Sequence, residues 1–230
     1  MKKRLLICLL LATLLLSSCS AGLPFGVNLF VPDHGPVDEA AFRTYAGALQ
    51  PEADRYGLTL NDEPVSDSDF WAEKLALLIQ DPVDVVSLTF ALPAASDIAA
   101  LQAAGTKVLA SVTTPGEAHQ AQAAGVDGLV VQGPQAGGHS ATFDPARRID
   151  PASTADLVKA VRAAAGLPII AAGGVDGPAA VQALLAAGAE AVAVGTLLLL
   201  ADEAGTSPTH RAALTSSTFT ETVLTRAFTG

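Results

Sequence analysis

Short apolar runs alternate with longer amphipathic or alanine-rich stretches along most of the chain. Six runs rich in Val, Ile and Leu have the length of strands, at residues 25–30, 83–88, 108–112, 129–132, 168–172 and 191–194. Helices are predicted between them, at about residues 37–49, 70–80 and 95–104 and before each later strand. Strands that alternate with helices predict βαβ units and a parallel sheet.

The tripeptide Ala-Ala-Gly occurs at the end of four predicted helices. Its glycines are Gly105, Gly125, Gly166 and Gly188, and each precedes a predicted strand by a few residues. Glycine readily adopts the left-handed conformation that ends a helix and turns the chain. We therefore predict that all four glycines are C-terminal helix caps in a repeating helix–strand unit.

Both a barrel and a doubly wound sheet are compatible with this alternation. Gly173-Gly174 and Gly195-Thr196 directly follow two consecutive predicted strands, and β/α barrels bind phosphate at this place. We therefore predict an α/β fold of the TIM-type (β/α)8 class over residues 21–230. It is expected to be incomplete, since about six β/α units are visible and a full barrel takes roughly 250 residues.

The first twenty residues have a different pattern. Lys2, Lys3 and Arg4 precede an apolar run at residues 5–16, which ends in Ser17-Ser18-Cys19. This order predicts a signal peptide over residues 1–20, and the run LSSC resembles the lipobox of bacterial lipoproteins, with Cys19 as the lipidated residue. The apolar run is shorter than the roughly twenty residues that cross a bilayer. The alternative to a signal peptide is that residues 5–16 form a buried strand or helix of the barrel.

Charge and cysteine content exclude several functions. The net charge is −10, and basic residues cluster only at the extreme N-terminus, so a nucleic-acid partner is not expected. The two cysteines, Cys8 and Cys19, both precede the predicted barrel. The barrel therefore has no thiol pair for a disulfide or a zinc site, no metal site is predicted, and redox chemistry would require a cofactor.

Candidate chemistry follows three of the later strands. Backbone amides at Gly173, Gly174, Gly195 and Thr196 could bind an anion next to a helix N-terminus, although such glycines also occur in simple tight turns. The segment VVQGPQAGGH at residues 130–139 is a strand followed by a glycine loop that His139 closes. An imidazole at the active end of a barrel could accept a proton from an acidic carbon, whereas the alternative is an exposed histidine without a role.

Four segments resemble the nitronate monooxygenases, formerly called 2-nitropropane dioxygenases, which are FMN-dependent (β/α)8 barrels. They are FGVNLFVP at residues 25–32, VVQGPQAGGH at 130–139, PIIAAGGV at 168–175 and AVAVGT at 191–196. The resemblance covers about residues 23–230, and AGGH is its most specific element. It implies that a nitronate or nitroalkane is oxidised with O₂ and that His139 is the catalytic base.

The resemblance also implies an FMN site, with the phosphate at Gly174, Gly195 and Thr196. The residues assigned to FMN are Asn28, Gln132, Gly137, Gly173, Gly174, Ala193, Val194, Gly195 and Thr196.

The chain departs from the family pattern in three ways. Relatives begin with further β/α units and continue beyond the segment at which this chain ends, so we expect exposed strand edges and self-association. Gln135 stands where relatives commonly have glutamate. The signal segment indicates a membrane-anchored extracytoplasmic lipoprotein, whereas the family resemblance indicates the cytoplasm.

Three other functions remain open from the sequence. One is an NAD(P)H-dependent flavin reductase of the same barrel family, acting on quinones or enoyl thioesters. Another is a non-catalytic lipoprotein remnant. The third is a phosphate-binding isomerase, which would share the last two glycine loops but not the segment QGPQAGGH.

Overall fold

A computed structural model of the protein describes residues 24–32, 35, 37–65 and 67–226. The predicted signal peptide, the predicted lipidation site at Cys19 and His34, for which the sequence predicts no function, lie outside the described residues. The first two remain predictions from the sequence. No helix within the described ranges has the length and apolar character needed to cross a membrane.

Six strands and seven α-helices alternate along most of the described chain. The strands are β1 (Gly26–Phe30), β2 (Val85–Thr89), β3 (Lys107–Val112), β4 (Gly128–Gln132), β5 (Ile169–Ala172) and β6 (Ala191–Ala193). The helices are α1 (Glu39–Asp54), α2 (Trp71–Gln80), α3 (Ala95–Ala103), α4 (Pro115–Ala124), α5 (Thr154–Ala164), α6 (Pro178–Ala186) and α7 (Pro208–Thr215). A 3₁₀ turn covers Thr196–Leu198.

All six strands are parallel and lie in the sheet in chain order, β1-β2-β3-β4-β5-β6. A doubly wound sheet would reverse direction at a switch point, whereas a barrel adds each strand on the same side. The predicted incomplete TIM-type barrel is therefore confirmed.

The core lies between the central strands and the helices that cover them. Leu88, Leu129 and Ile169, on β2, β4 and β5, have no exposed surface, and Val158 and Val161 of α5 are equally buried. Strands buried in this way read as continuous apolar runs rather than alternating ones, which is why the sequence located them. The outer strands β1 and β6 are only half-buried along most of their length.

Three of the four predicted glycine caps are confirmed, and the fourth is wrong. Gly105, Gly125 and Gly188 have φ values of +101°, +90° and +111°. Gly166 does not have a positive φ, because α5 ends at Ala164 and the next residue is already extended, with φ −140° and ψ 139°. The amide of Gly166 instead donates to Gln122 Oε1 at 2.7 Å, which ties this turn to α4.

The first helix extends beyond its predicted end near residue 49. It continues to Asp54 with Pro51 inside, although proline lacks the amide hydrogen that a helix interior uses and usually breaks a helix. The side chain of Gln50 supports this end, since it donates to Leu58 O at 3.0 Å and accepts from the amide of Leu60 at 2.9 Å.

Candidate functional site

The carboxyl ends of the six parallel strands lie along one edge of the sheet. The predicted site residues belong to this edge or to the loops that leave it. In β/α barrels this face carries the active site. The structure therefore places the segments that the sequence singled out on the same side of the molecule.

Residues 133–153, called the His139 loop here, follow β4. Gln132, the last residue of that strand, holds this loop with both ends of its amide: Nε2 donates to His139 O at 3.0 Å, and Oε1 accepts from the amide of Ala141 at 2.7 Å. The side chain thus fixes the backbone on both sides of Ser140. Nε2 carries a second hydrogen, which could donate to a ligand. The predicted contact from Gln132 to FMN is therefore compatible with this arrangement and stays a prediction.

The imidazole of His139 is exposed and lies beside two phenylalanine rings. Its ring centroid is 6.1 Å from that of Phe90 in an edge-to-face arrangement, and Phe90 is 5.0 Å from Phe30. These three residues form what we call the aromatic row, at the ends of β1 and β2 and in the His139 loop. Phe90 has a φ of +79°, a conformation that a bulky residue rarely adopts. The row thus places two apolar rings next to an exposed imidazole.

Asn28 on β1 is held by hydroxyl groups of the neighbouring strand. Its Oδ1 accepts from Ser87 Oγ and from Thr89 Oγ1, both at 2.8 Å, and Thr89 Oγ1 lies 3.2 Å from Ser111 Oγ on β3. These contacts fix the carboxamide with its oxygen toward β2. Its NH₂ group therefore remains a donor for a ligand.

The loops after β4, β5 and β6 touch one another. A Cβ built at Gly173, which has a φ of +99°, would lie 2.9 Å from the amide nitrogen of Ala136, and one built at Gly137 would lie 2.7 Å from Thr196 Oγ1. Thr154, at the start of α5, also donates from Oγ1 to Gly173 O at 2.9 Å. A side chain at Gly173 would meet backbone atoms and force the loops apart, and one at Gly137 would displace the hydroxyl of Thr196. The glycines therefore allow the three strand ends to form one surface.

This surface has unused backbone donors. The amides of Gly174, Gly195 and Thr196 donate to no acceptor in the described part of the chain, and all three residues are exposed. Gly174 has a φ of +72°. Ala193 and Val194 lead from β6 into Gly195 and are half-buried behind it. Exposed, unpaired amides at the ends of adjacent strands fit a phosphate group.

Sequence reasoning missed three residues that shape the site: Phe90, Glu117 and Thr154. Phe90 directly follows β2, but its left-handed backbone has no sequence signature. Thr114-Pro115-Gly116-Glu117 matches the Thr-x-x-Glu pattern of a capping box and could have identified Glu117. Among the described residues, no group of three or more His, Cys, Asp and Glu side chains is arranged to hold a metal ion.

Fold and site together define part of a β/α barrel in which unpaired backbone amides lie next to a histidine-bearing loop at the carboxyl ends of the strands. The family model described as nitronate monooxygenase matches residues 16–230. The chain therefore belongs to the nitronate monooxygenase family.

Individual relatives agree with this assignment. The chain is 36% identical to a nitronate monooxygenase of Paraburkholderia phytofirmans and 35% identical to one of Pseudomonas aeruginosa, over 90% of its own length and 57% and 60% of theirs. Its structure resembles that of nitroalkane oxidase from Streptomyces ansochromogenes, with a TM-score of 0.80, 41% identity, and coverage of 90% of this chain and 60% of the other. The chain thus spans about three fifths of the length of these relatives.

Proposed function

We propose that the protein is an FMN-dependent oxidoreductase that oxidises alkyl nitronates with O₂. The observation that carries this proposal is the His139 loop, in which an imidazole lies beside the rings of Phe30 and Phe90 and next to loops with unpaired amides. The names of the relatives, nitronate monooxygenase and nitroalkane oxidase, favour this function over an NAD(P)H-dependent reductase, a non-catalytic remnant or an isomerase.

The unpaired amides support the assignment of FMN as the cofactor. Gly174, Gly195 and Thr196 would hold the phosphate, and Gly137 and Gly173 would keep the loops close enough to form one binding surface. Asn28 would donate to the cofactor from its NH₂ group, whose partner oxygen is already fixed by β2. Bound FMN would supply the redox chemistry by accepting electrons from the substrate and passing them to O₂.

His139 would remove the proton from the carbon next to the nitro group of a neutral nitroalkane. A nitronate anion has already lost this proton, so its oxidation requires binding but no base. The aromatic row would contact the alkyl part of either substrate and exclude water from it. Exclusion of water strengthens the attraction between the imidazolium formed by proton transfer and the anionic nitronate.

The test is to titrate the purified chain with FMN and then to follow oxygen uptake with a nitroalkane and with its nitronate. We expect flavin absorbance to remain with the protein. We expect His139→Ala to lower the nitroalkane rate by about 100-fold or more, because a general base contributes about 10²–10⁴-fold, while FMN affinity is unchanged.

His119→Ala is the matched control, since His119 is an exposed histidine on α4; this variant should behave as wild type. Lack of FMN binding by the wild-type chain would contradict the proposed function. Full nitroalkane activity in His139→Ala would contradict the role of the histidine.

A further inference from the structure

Glu117 is the charged side chain that is buried among the described residues, with 6% of its surface exposed. It is the third residue of α4, after Pro115 and Gly116, and the proposed reaction does not use it. A buried carboxylate is costly unless hydrogen bonds satisfy both of its oxygens. The partners of those oxygens therefore indicate what the residue does.

One oxygen of Glu117 accepts hydrogen bonds from the residue just before the start of its own helix. Oε2 accepts from the amide of Thr113 at 2.5 Å and from Thr113 Oγ1 at 2.8 Å, while Thr114 Oγ1 accepts from the amide of Glu117 at 3.0 Å. In a capping box the glutamate reaches back to the N-cap amide; here it reaches one residue further. Helix capping accounts for this oxygen but not for the other.

The other oxygen holds the His139 loop. Oε1 accepts from Thr142 Oγ1 and from the amide of Phe143, both at 3.0 Å. Gln132 already holds His139 and Ala141 from the β4 side. The backbone around the imidazole is therefore fixed by two side chains, one from β4 and one from α4.

The two oxygens of Glu117 accept four hydrogen bonds, two from Thr113 and one each from Thr142 and Phe143. This number of donors requires a carboxylate at the position. An ionised carboxylate accepts at both oxygens, whereas an amide would turn an NH₂ group toward two other donors. Arg147 reaches the carboxylate through hydroxyls: Nη2 donates to Thr113 Oγ1 at 2.7 Å, and Nε to Thr142 Oγ1 at 3.4 Å. The network thus joins α4, the end of β3 and the His139 loop.

We propose that Glu117 is a positioning residue that holds the His139 loop in the arrangement required for proton transfer. The catalytic part of this inference rests on the proposed function, because it concerns the step in which His139 acts as a base. Positioning should matter for a neutral nitroalkane, which must lose a proton, and much less for the nitronate. A general loss of structure would affect both substrates alike.

The first measurement is hydrogen–deuterium exchange of the full chain, comparing wild type with Glu117→Gln. We expect peptides from the His139 loop to exchange about tenfold faster or more in the variant. The hydrogen bonds from Thr142 and Phe143 to Oε1 oppose opening of the loop in the wild type, and the variant weakens them, so the loop opens more often. Thr142→Val removes the hydroxyl that donates to Oε1, together with its contacts to Asp144 and Arg147 within the loop, and should increase the same exchange if Glu117→Gln does not fold.

Thr114→Ala is the matched control within the same helix. It removes the hydroxyl cap of α4 but leaves the contacts between Glu117 and the loop, so loop exchange should stay at the wild-type rate. Equal loop exchange in Thr114→Ala and Glu117→Gln would overturn the proposal, because capping alone would then explain the residue. Wild-type loop exchange in both Glu117→Gln and Thr142→Val would also overturn it.

The second measurement is the ratio of the nitroalkane rate to the nitronate rate. In Glu117→Gln we expect this ratio to fall about tenfold or more, because misplacement of a catalytic group by an ångström can cost about 100-fold. An unchanged ratio overturns the proposed role in proton transfer. Turnover of neither substrate by the wild type rejects both the proposed function and this catalytic role, whereas the exchange data still decide whether Glu117 holds the loop.

Discussion

Phe90 combines an unusual backbone with a central place in the aromatic row. Its φ of +79° is one of three positive values among the described residues other than glycine, with Asp69 and Phe70. Such a conformation costs about 1–3 kcal/mol and persists only where the surroundings impose it. The ring of Phe90 lies between those of Phe30 and His139. The strained backbone therefore places this ring next to the imidazole.

This strain predicts an inverted order of stability for two substitutions at Phe90. Both Phe90→Gly and Phe90→Ala remove the ring, but only glycine adopts a positive φ without a Cβ penalty. We therefore expect Phe90→Gly to be more stable than Phe90→Ala by about 1 kcal/mol, measured by urea denaturation.

Phe30 provides the control, because it is a strand residue without a positive φ. There the usual order should hold, with Phe30→Ala more stable than Phe30→Gly. The same order at both positions would contradict strain at Phe90.

The sequence predicted the candidate site residues that belong to a short, recognisable motif. It missed the residues whose importance depends on contacts between distant segments of the chain. His139 and the glycines after β5 and β6 stand out within a few residues of chain. The contacts from Glu117 to Thr142 and Phe143 cross 25 and 26 residues. No pattern around Glu117 shows which loop will cover it, because that depends on how α4 packs against the end of β4.

At the scale of elements, the amino ends of the strands are joined by Asp127, which precedes β4. Its carboxylate accepts from Lys107 Nζ at 2.8 Å, the amide of Val108 at 2.9 Å and Gln102 Nε2 at 3.0 Å. Burial by itself raises the pKa of Asp127, but these hydrogen bonds and the charge of Lys107 together lower it below its ordinary value. This face lies opposite the candidate site, where polar contacts serve stability.

The lowered pKa of Asp127 predicts how its contribution to stability depends on pH. Because the folded pKa lies below the unfolded value of about 3.9, the contribution is present above that pH and is lost as pH falls through the folded pKa. We expect Asp127→Asn to lower the free energy of unfolding by about 1–2 kcal/mol at pH 7, measured by urea denaturation.

The difference between Asp127→Asn and wild type should shrink as the pH is lowered below about 4. Asp62→Asn, at an exposed aspartate, should show little difference at any pH. A destabilisation by Asp127→Asn that is constant from neutral to acidic pH would contradict an ionic role for Asp127.

The His139 loop begins at a close contact between two elements. A Cβ built at Gly133 would overlap Thr154 Oγ1 and lie 2.6 Å from Thr154 Cβ. Thr154 is buried, with 3% of its surface exposed, so it has little room to move. Gly133 thus lets the end of β4 pass directly under the start of α5.

We expect Gly133→Ala to destabilise the protein by about 1–3 kcal/mol, the usual cost of overpacking. Gly47→Ala is the comparison, because Gly47 lies inside α1, a Cβ built there would meet no atom within 4 Å, and alanine favours the helix by about 1 kcal/mol. Thermal unfolding of the two variants should therefore shift in opposite directions. A neutral Gly133→Ala would show that β4 and α5 are not in tight contact here.

The elements that sequence reasoning placed correctly are those whose burial is uniform along their length. Strands β2 to β5 are short apolar runs because residues on both of their faces are mostly buried. The 3₁₀ turn at Thr196–Leu198 was not predicted, since none of its residues is buried and burial is what gives a short segment a recognisable apolar pattern. The error at Gly166 has a similar origin: a tripeptide repeat does not show where the backbone leaves the helix.

At the scale of the whole molecule, the sheet has two open edges in the part of the chain that the structure describes. Strands β1 and β6 each pair on one side only. The amide of Glu190 donates to Ile169 O on β5, so by alternation along the strand the amide of Ala191 faces the open edge. Leu197 and Leu198, just beyond β6, are 56% and 58% exposed.

Open edges next to exposed leucines predict that the chain associates with itself, because unpaired strands template further pairing. Sedimentation velocity at increasing concentration should show species larger than one chain. Ala191→Pro removes an outward amide without breaking a hydrogen bond to β5, so it should reduce this association while the fold is retained. Ala191→Ser keeps the amide and should associate as wild type does. If the wild-type chain sediments as a monomer at every concentration, or if the proline variant associates equally, the β6 edge is not the surface through which copies meet.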